Sequence, residues 1–166
     1  MELFGTAGIR GPVTEVTPDL ALAVGRAVGV DGDEFVVGRD GRETGPALTA
    51  ALTAGLESAG ATVQRIGTVP TPALAYASQG RRGVMVTASH NPPTDNGIKC
   101  FVDGQEYDRD SEQRIEARVE AGDTQADWDE WGRTETVDSL DEYRSAVTAY
   151  ARDHGAIPAE LTVAVD

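Results

Sequence analysis

Apolar residues along this chain follow two spacings that alternate from one segment to the next. Short apolar runs ending at glycines or polar loops predict buried strands, and apolar residues three or four positions apart predict amphipathic helices. The predicted strands span residues 34–38, 62–67, 83–87 and 98–102. The predicted helices span residues 18–29, 44–60, 73–78, 110–121 and 139–154. This alternation predicts an α/β domain with helices on both faces of one sheet.

The first predicted helix has clear start and stop signals, whereas the last predicted strand has no element after it. Thr17, Pro18 and Asp19 are residue types favoured at an N-cap, a first helical position and a first turn, so they mark a helix start. Gly29 supplies the stop for that helix. The apolar run 161–166 predicts a further strand that no crossover follows. We expect it to be the start of a unit that has been cut off.

Charge is the unusual feature of the composition. Asp plus Glu number 28 against 14 Lys plus Arg in 166 residues, a net charge of −14. Thirteen of the basic residues are arginines, and Lys99 is the one lysine. A generic surface for nucleic acid or anionic membrane needs a Lys/Arg patch, so we expect neither partner. The single cysteine, Cys100, gives no disulfide framework, and no apolar run reaches membrane-spanning length. With no signal-peptide pattern at the N-terminus, we expect a cytoplasmic protein.

The acidic residues are densest over 103–135, which holds 12 carboxylates and 4 arginines. We interpret this stretch as a solvated helical face. A cation site is the alternative, but the stretch lacks the Asp-x-Asp-x-Asp-Gly spacing of a calcium loop. Like charges repel in a compact state, and salt screens that repulsion. Adaptation to high cytoplasmic salt, as in a halophile, is therefore our hypothesis for the net charge.

A hydroxyl, an imidazole and an amide follow the most strand-like run of the chain, at Ser89, His90 and Asn91. Two prolines after them stiffen the exit. The dipeptide Asn96-Gly97 predicts a tight turn that brings Lys99 back towards Ser89. A rigidly held hydroxyl beside a cation suits phosphate handling, because Lys neutralises phosphoryl oxygens as a point charge. A plain turn-rich connection between strands explains the same residues, and spacing alone leaves both open.

A serine hydrolase is a poor explanation of the same loop. Ser89 and His90 are adjacent, so in an extended chain their side chains would point to opposite sides. His154, the other histidine, lies at the end of a predicted helix, where we expect a surface role. No Gly-x-Ser-x-Gly elbow surrounds the serine.

Two further loops carry polar groups. Residues 5–11 are glycine-rich and contain Arg10, whose guanidinium can grip a phosphate in a fork. The segment matches neither a P-loop nor a dinucleotide fingerprint, and a flexible N-terminal turn is an equal alternative. For Arg39-Asp40-Gly41-Arg42 we favour an internal ion pair over a ligand contact.

Segment 87–99 resembles the phosphoserine loop of the α-D-phosphohexomutases, the superfamily of phosphoglucomutase, phosphomannomutase and phosphoglucosamine mutase. Its core, Ala-Ser-His-Asn-Pro at 88–92, is a specific short motif. Segments 4–11, 37–42 and 67–72 are similar to further family segments in the expected order. The resemblance is densest over residues 3–102 and implies a three-layer α/β/α sandwich with a mixed, mostly parallel sheet.

The resemblance also implies a chemistry. Ser89 would carry a phosphoryl group, donate it to a hexose monophosphate and recover one from the other hydroxyl of the bisphosphate intermediate. Its phosphate would bind Mg²⁺, which spreads charge in the transition state. Lys99 and Arg10 lie at family positions near the transferring group, with acid–base or electrostatic roles.

Three other residues receive roles by the same resemblance. His90 would take part in catalysis beside the serine, and Asn91 and Gly8 would shape the loops around the phosphate. Asp95 departs from the pattern, because many relatives have an aromatic residue there.

The family is built from four domains, and this sequence resembles the first. The metal loop Asp-Gly-Asp-x-Asp-Arg is absent, and residues 31–34 only mimic its opening, so we interpret them as a helix-to-strand turn. We therefore expect one domain over 1–155, then a linker and the first strand of a truncated second domain over 156–166. Domains 2–4 would supply the remaining Mg²⁺ ligands and the residues that choose the hexose. The alternative is a free-standing, non-catalytic domain that binds phosphosugars or a partner protein.

Overall fold

The computed structural model describes residues 3–5, 8–122 and 125–155, together with Thr162 and Ala164. The strands are β1 (Ile9–Pro12), β2 (Glu34–Arg39), β3 (Thr62–Thr68), β4 (Arg82–Val86), β5 (Asp95–Val102), β6 (Gln105–Glu106) and β7 (Thr134–Thr136). The helices are α1 (Pro18–Gly29), α2 (Gly45–Ser58), α3 (Thr71–Ala77), α4 (Arg109–Ala121) and α5 (Leu140–His154). The strand predicted over 161–166 lies outside the described residues, apart from the exposed Thr162 and Ala164.

One mixed sheet contains the described strands, in the order β1-β5-β4-β2-β3-β7, with β6 beside β5. Strands β4, β2, β3 and β7 pair in parallel. Strand β5 pairs antiparallel with β1, β4 and β6, so it alone among the described strands runs against the others. The prediction of a mixed, mostly parallel sheet is confirmed.

Helices cover both faces of this sheet and bury a separate core on each. On one face the larger core joins α1, α2 and α4 to the inward side chains of the strands, among them Phe35, Val84 and Ile98. On the other face Leu74 of α3 packs with Met85 and other strand residues, and Leu140 and Tyr143 of α5 lie at its margin. The three-layer α/β/α sandwich is therefore confirmed.

The local sequence signals predicted the first helix correctly. The Thr17 hydroxyl accepts a hydrogen bond from the Leu20 N–H at 3.2 Å, which caps α1, and Val24 and Val28 are fully buried. The turn over 31–33 between α1 and β2 also forms as expected.

Several predictions about the remainder differ from the structure. Strands β1, β6 and β7 have no counterpart among the predicted elements, because two to four residues at a sheet edge carry almost no periodic signal. The acidic stretch is helical only over α4, and Glu116 there is 8% exposed, so this carboxylate does not belong to a solvated face. Along α5 the apolar stripe stays largely open, with Val147 and Tyr150 exposed.

Within the described part of the chain, no helix combines the length and apolar character needed to cross a bilayer.

Candidate active site

Two loops leave the same edge of the sheet side by side. Strands β2 and β4 end at Arg39 and Val86, which are register partners in adjacent parallel strands. The pairing continues one residue further, because the Asp40 N–H donates to the Val86 carbonyl at 3.1 Å. The carboxyl ends of parallel strands meet at one edge, so loop 40–44 faces loop 87–94.

Thr87 joins these two loops through its side chain. Its hydroxyl donates to Asp40 Oδ2 at 2.6 Å and accepts from the Ser89 N–H at 2.9 Å. Thr87 is 3% exposed, so its hydroxyl is buried, whereas the Asp40 side chain is 25% exposed and Ser89 is exposed. The hydroxyl thereby donates its one proton to the Asp40 carboxylate and accepts a hydrogen bond from the serine loop with a lone pair.

Arg42 also contacts the serine loop. Its Nε donates to Asp40 Oδ2 at 3.1 Å, and its side chain is 12% exposed. The Nη1 and Nη2 groups donate to four main-chain carbonyls: Pro92 (2.7 Å), Asp95 (2.9 Å), Ser89 (2.9 Å) and Asn91 (2.8 Å). The expected Asp40–Arg42 ion pair is present, and it also supports the neighbouring loop.

Ser89 itself is exposed and has φ +56°, in the left-handed region that non-glycine residues rarely adopt. The expectation that Ser89 and His90 point to opposite sides is wrong, because it assumed an extended chain. Ser89 Oγ lies 3.4 Å from His90 Nδ1. The serine lines a shallow cleft of about 300 Å³ together with Arg42 and Asn91.

The predicted turn at Asn96-Gly97 is also wrong. Both residues lie inside β5, and the chain reverses before them, between Ala88 and Asp95. Asn96 is fully buried and donates to the Thr44 hydroxyl at 2.9 Å. A Cβ at Gly97 would overlap the Ile9 carbonyl, so glycine is required there by close strand packing.

Loop 88–95 is closed by its own hydrogen bonds. The Asn91 N–H donates to the Ala88 carbonyl at 3.1 Å, and the Asn91 side-chain amide donates to Asp95 Oδ2 at 3.0 Å. Asp95, the departure from the family pattern, therefore serves this loop as an acceptor for Asn91.

Arg10 lies on the edge strand β1, where we had left a flexible turn open as an alternative. It is the register partner of Gly97, and the Thr87 N–H donates to the Gly97 carbonyl at 2.9 Å. Paired residues of antiparallel strands project to the same face. Arg10 Nε is buried and has no hydrogen-bond partner within the described part of the chain.

Gly8 lies next to β1 with φ +86°. A Cβ there would come within 2.7 Å of the Ile98 carbonyl and 2.9 Å of Lys99 Cγ. Glycine thus lets this segment lie directly on β5. Thr6 and Ala7 of the same glycine-rich segment lie outside the described residues.

Lys99 is placed differently from the expectation. It pairs with Met85, four residues before Ser89, and its ammonium group bonds Glu106 Oε1 at 2.6 Å. It shares a sheet face with Gly97, two residues earlier on β5. The structure therefore places Ser89, His90 and Asn91 in one loop, and Arg10 opposite Gly97, which is bonded to the first residue of that loop. Lys99 lies two residues further along β5, away from the loop.

Residues that sequence reasoning missed are Thr87 and Asn96 as loop supports, and the grip of Arg42 on the serine loop. The sequence did show that a polar loop follows β2, and such a loop lies beside the loop that follows a neighbouring parallel strand. The sequence did not show which strand is that neighbour, because the order of the strands is a property of the folded sheet.

The described residues contain no group of three or more His, Cys, Asp or Glu side chains arranged to hold a metal ion. A Mg²⁺ ion bound by this part of the chain would therefore need ligands other than such a group. His154 is a surface residue, as expected: its ring stacks on Tyr150 with centroids 4.0 Å apart.

Comparison with known proteins gives this arrangement a family. Residues 1–126 match the family model described as phosphoglucomutase/phosphomannomutase, alpha/beta/alpha domain I. A phosphopentomutase of Thermococcus kodakarensis is 46% identical over 153 residues, covering 89% of this chain and 34% of that protein. A phosphoglucosamine mutase of Thermosipho africanus is 47% identical over 125 residues, covering 72% of this chain and 29% of that protein.

A solved structure agrees with these relatives. A phosphoglucomutase/phosphomannomutase family protein of Burkholderia thailandensis superposes with a TM-score of 0.81 at 34% identity, covering 89% of this chain and 35% of the other. The chain thus spans about a third of the length of the relatives it matches. With its sheet order, serine loop and family match in agreement, the chain belongs to the phosphoglucomutase/phosphomannomutase family, as its α/β/α domain I.

Proposed function

We propose that this chain is the nucleophile-bearing domain of a sugar-phosphate mutase, in which Ser89 carries the transferred phosphoryl group. The observation that carries the proposal is the presentation of Ser89. Ser89 is exposed, and its main-chain N–H and carbonyl are both hydrogen-bonded, to Thr87 and to Arg42. A nucleophile fixed in this way meets its substrate without a reorganisation of the loop.

The proposed step conserves atoms and charge. A hydroxyl of a hexose monophosphate attacks the phosphorus of phosphorylated Ser89, a new P–O bond forms, and the bond to Ser89 Oγ breaks. The sugar hydroxyl gives up its proton to a base, and Oγ takes one from an acid. The bisphosphate then reorients, and the reverse step returns its other phosphoryl group to Ser89.

His90 and Lys99 are our candidates for the proton transfers, and Arg10 is our candidate for binding the negative charge. His90 Nδ1, 3.4 Å from Oγ, is close enough to exchange a proton with the serine oxygen after a small movement. Lys99 is the other candidate acid or base. The buried Nε of Arg10, which has no hydrogen-bond partner among the described residues, supports an anion-binding role beside Thr87. Asn91 and Gly8 would keep the loops around the phosphate in shape.

Mg²⁺ would contact this chain through the Ser89 phosphate, with its other ligands supplied from beyond residue 166. When bound, the ion would spread the negative charge that builds on the transferring group. The roles proposed for Ser89, His90 and Arg10 do not depend on the metal ion.

The identity of the sugar is a separate question, since one relative is named for a pentose and another for a hexosamine. Substrate choice would reside in the other domains.

The coding sequence after Asp166 provides the first test. An open reading frame that continues and encodes Asp-Gly-Asp-x-Asp-Arg supports the mutase. A stop codon in the native gene contradicts it and favours a free-standing phosphosugar-binding or protein-interaction domain.

The second test uses the complete gene product. With a hexose 1-phosphate and a catalytic amount of the 1,6-bisphosphate, Ser89→Ala should abolish both turnover and the phosphoryl adduct seen by intact mass. The matched control, Ser145→Ala on the exposed side of α5, should change neither. Full turnover in Ser89→Ala would refute the assignment. By the same reasoning we expect the isolated 166-residue chain to show negligible mutase activity.

A further inference from the structure

Arg42 uses every N–H donor of its guanidinium within the serine site. A guanidinium has five such donors. One reaches the Asp40 carboxylate, and the other four reach the carbonyls of residues 89, 91, 92 and 95. We propose that Arg42 is the positioning residue of the nucleophile, a planar clamp that holds the Ser89 loop in its reactive shape. This inference rests on the function proposed for Ser89.

The guanidinium of Arg42 offsets two unfavourable features of the loop. Four carbonyl oxygens within seven residues point towards one spot, and their partial negative charges repel unless a cation lies between them. Ser89 also holds φ +56°, a conformation that costs free energy and persists only when its surroundings impose it. The guanidinium supplies the charge and the donors together, and one of its bonds goes to the carbonyl of Ser89 itself.

Asp40 anchors the clamp to the sheet. Its Oδ1 accepts from the Arg42 N–H at 3.0 Å, and its Oδ2 accepts from Arg42 Nε and from the Thr87 hydroxyl. The carboxylate follows directly after β2 and Thr87 follows directly after β4. The ends of two buried parallel strands thus fix the guanidinium, and the guanidinium fixes the loop.

Arg42 is therefore distinct from the anion-binding candidate Arg10. All five donors of Arg42 are occupied, so none remains for a substrate phosphate, whereas Arg10 Nε is buried without a partner in the described structure. Lysine cannot replace Arg42, because three donors on one point charge cannot span four carbonyls and a carboxylate. The clamp requires the shape of arginine as well as its charge.

Amide hydrogen exchange on the 166-residue chain tests the positioning directly. In Arg42→Lys, the Asn91 and Asp95 N–H groups should lose protection by about 10-fold or more, while strand amides such as Val36 keep theirs. Arg144→Lys, on the exposed face of α5, is the matched control and should leave the loop amides unchanged. Unchanged exchange of the loop amides in a folded Arg42→Lys variant overturns the proposal.

Kinetics of the complete gene product test the consequence for catalysis. Arg42→Lys should lower kcat by about 100-fold with little change in KM, the pattern expected for a misplaced reacting group. A rise in KM with unchanged kcat would place Arg42 in contact with substrate and overturn the proposal, as would wild-type kinetics. If Arg42→Lys does not fold, Asp40→Asn serves instead, since it releases the anchor and keeps the guanidinium; the same two outcomes apply. An active Ser89→Ala would refute the proposed function alone, because the exchange result does not depend on catalysis.

Discussion

The hydroxyl of Thr87, which follows β4, donates a 2.6 Å hydrogen bond to Asp40, which follows the neighbouring parallel strand β2. The same hydroxyl accepts from the Ser89 N–H, so a single buried oxygen connects the acidic loop to the candidate nucleophile. The bond therefore couples the stability of this sheet edge to the geometry of the site.

Thr87→Val should destabilise the fold. The substitution keeps the shape but leaves a carboxylate oxygen and a backbone N–H without their buried partner, at a cost of about 1–3 kcal/mol. Urea unfolding measures the difference. Thr53→Val is the matched control: its hydroxyl is buried without a hydrogen-bond partner in the described structure, so that change should be neutral or stabilising. Equal effects of the two substitutions would contradict this account of Thr87.

Gly55→Ala should also destabilise the fold, through helix packing. Gly55 of α2 lies against Gly25 of α1, and a Cβ at either position would overlap a main-chain carbonyl of the facing helix. Main chain cannot step aside as a flexible side chain can, so we expect a loss of about 1–3 kcal/mol. Thermal unfolding should show a lower Tm. Gly41→Ala, where a Cβ meets nothing within 4 Å, should leave the Tm unchanged; a shift of similar size there would sink the packing argument.

Glu116 should make folding stability depend on acid pH. The hydrogen bond from the Phe4 N–H is the largest cause that lowers the pKa of its carboxyl below the usual 4.5; burial opposes it, and the hydrogen bond from the Leu3 N–H adds a smaller lowering. A lowered folded pKa contributes stability that is present above the unfolded pKa and is lost as the pH falls through the folded value.

Glu116→Gln should accordingly be less stable than the wild type near neutral pH, with a gap that narrows as the pH drops below 4.5. Urea unfolding over a pH series measures the gap. The exposed Ser145→Ala, which removes no charge, should differ from the wild type by an amount that does not change with pH. A gap that is constant with pH would mean that the charge of Glu116 does not anchor the start of the chain.

Salt should stabilise this protein. A net charge of −14 makes the compact state repel itself, and at about 1 M salt the screening length shrinks to about 3 Å. The Tm should therefore rise from dilute buffer to molar KCl. The same Tm in both would end the hypothesis of adaptation to high cytoplasmic salt.

Lys99→Arg should reduce turnover of the complete gene product. The ammonium pairs with Glu106 across a hairpin, and an arginine in its place could not act as an acid or base because a guanidinium is not deprotonated in proteins. Arg144→Lys provides the reciprocal exchange at a remote, exposed position and should be silent. Undiminished turnover in Lys99→Arg would show that the one lysine of the chain has no specific role.

Elements with a long or regular pattern could be predicted from the sequence, and short or strained ones could not. Helix α1 was predictable because Thr17 and Pro18 act locally, within one turn of the backbone. Strand β1 was not, because Ile9–Pro12 becomes a strand only by pairing with β5, some 85 positions later. The turn predicted at Asn96-Gly97 was wrong for a similar reason. The local preference of this dipeptide for a turn is overridden because β5 pairs with a strand on each side.

For the candidate site, the sequence alone determined the residue types that chemistry needs: a serine after a buried strand, a neighbouring histidine, an arginine in a glycine-rich segment. These follow from local composition and motif. The tertiary structure decided the left-handed conformation of Ser89, its approach to His90 and the clamp formed by Arg42 and Asp40. The contacts of Asp40 and Arg42 with the serine loop join residues 47–53 positions apart, and they exist because the order of strands in the sheet places β2 beside β4. Strand order is set by burial of the whole core, which no short segment encodes.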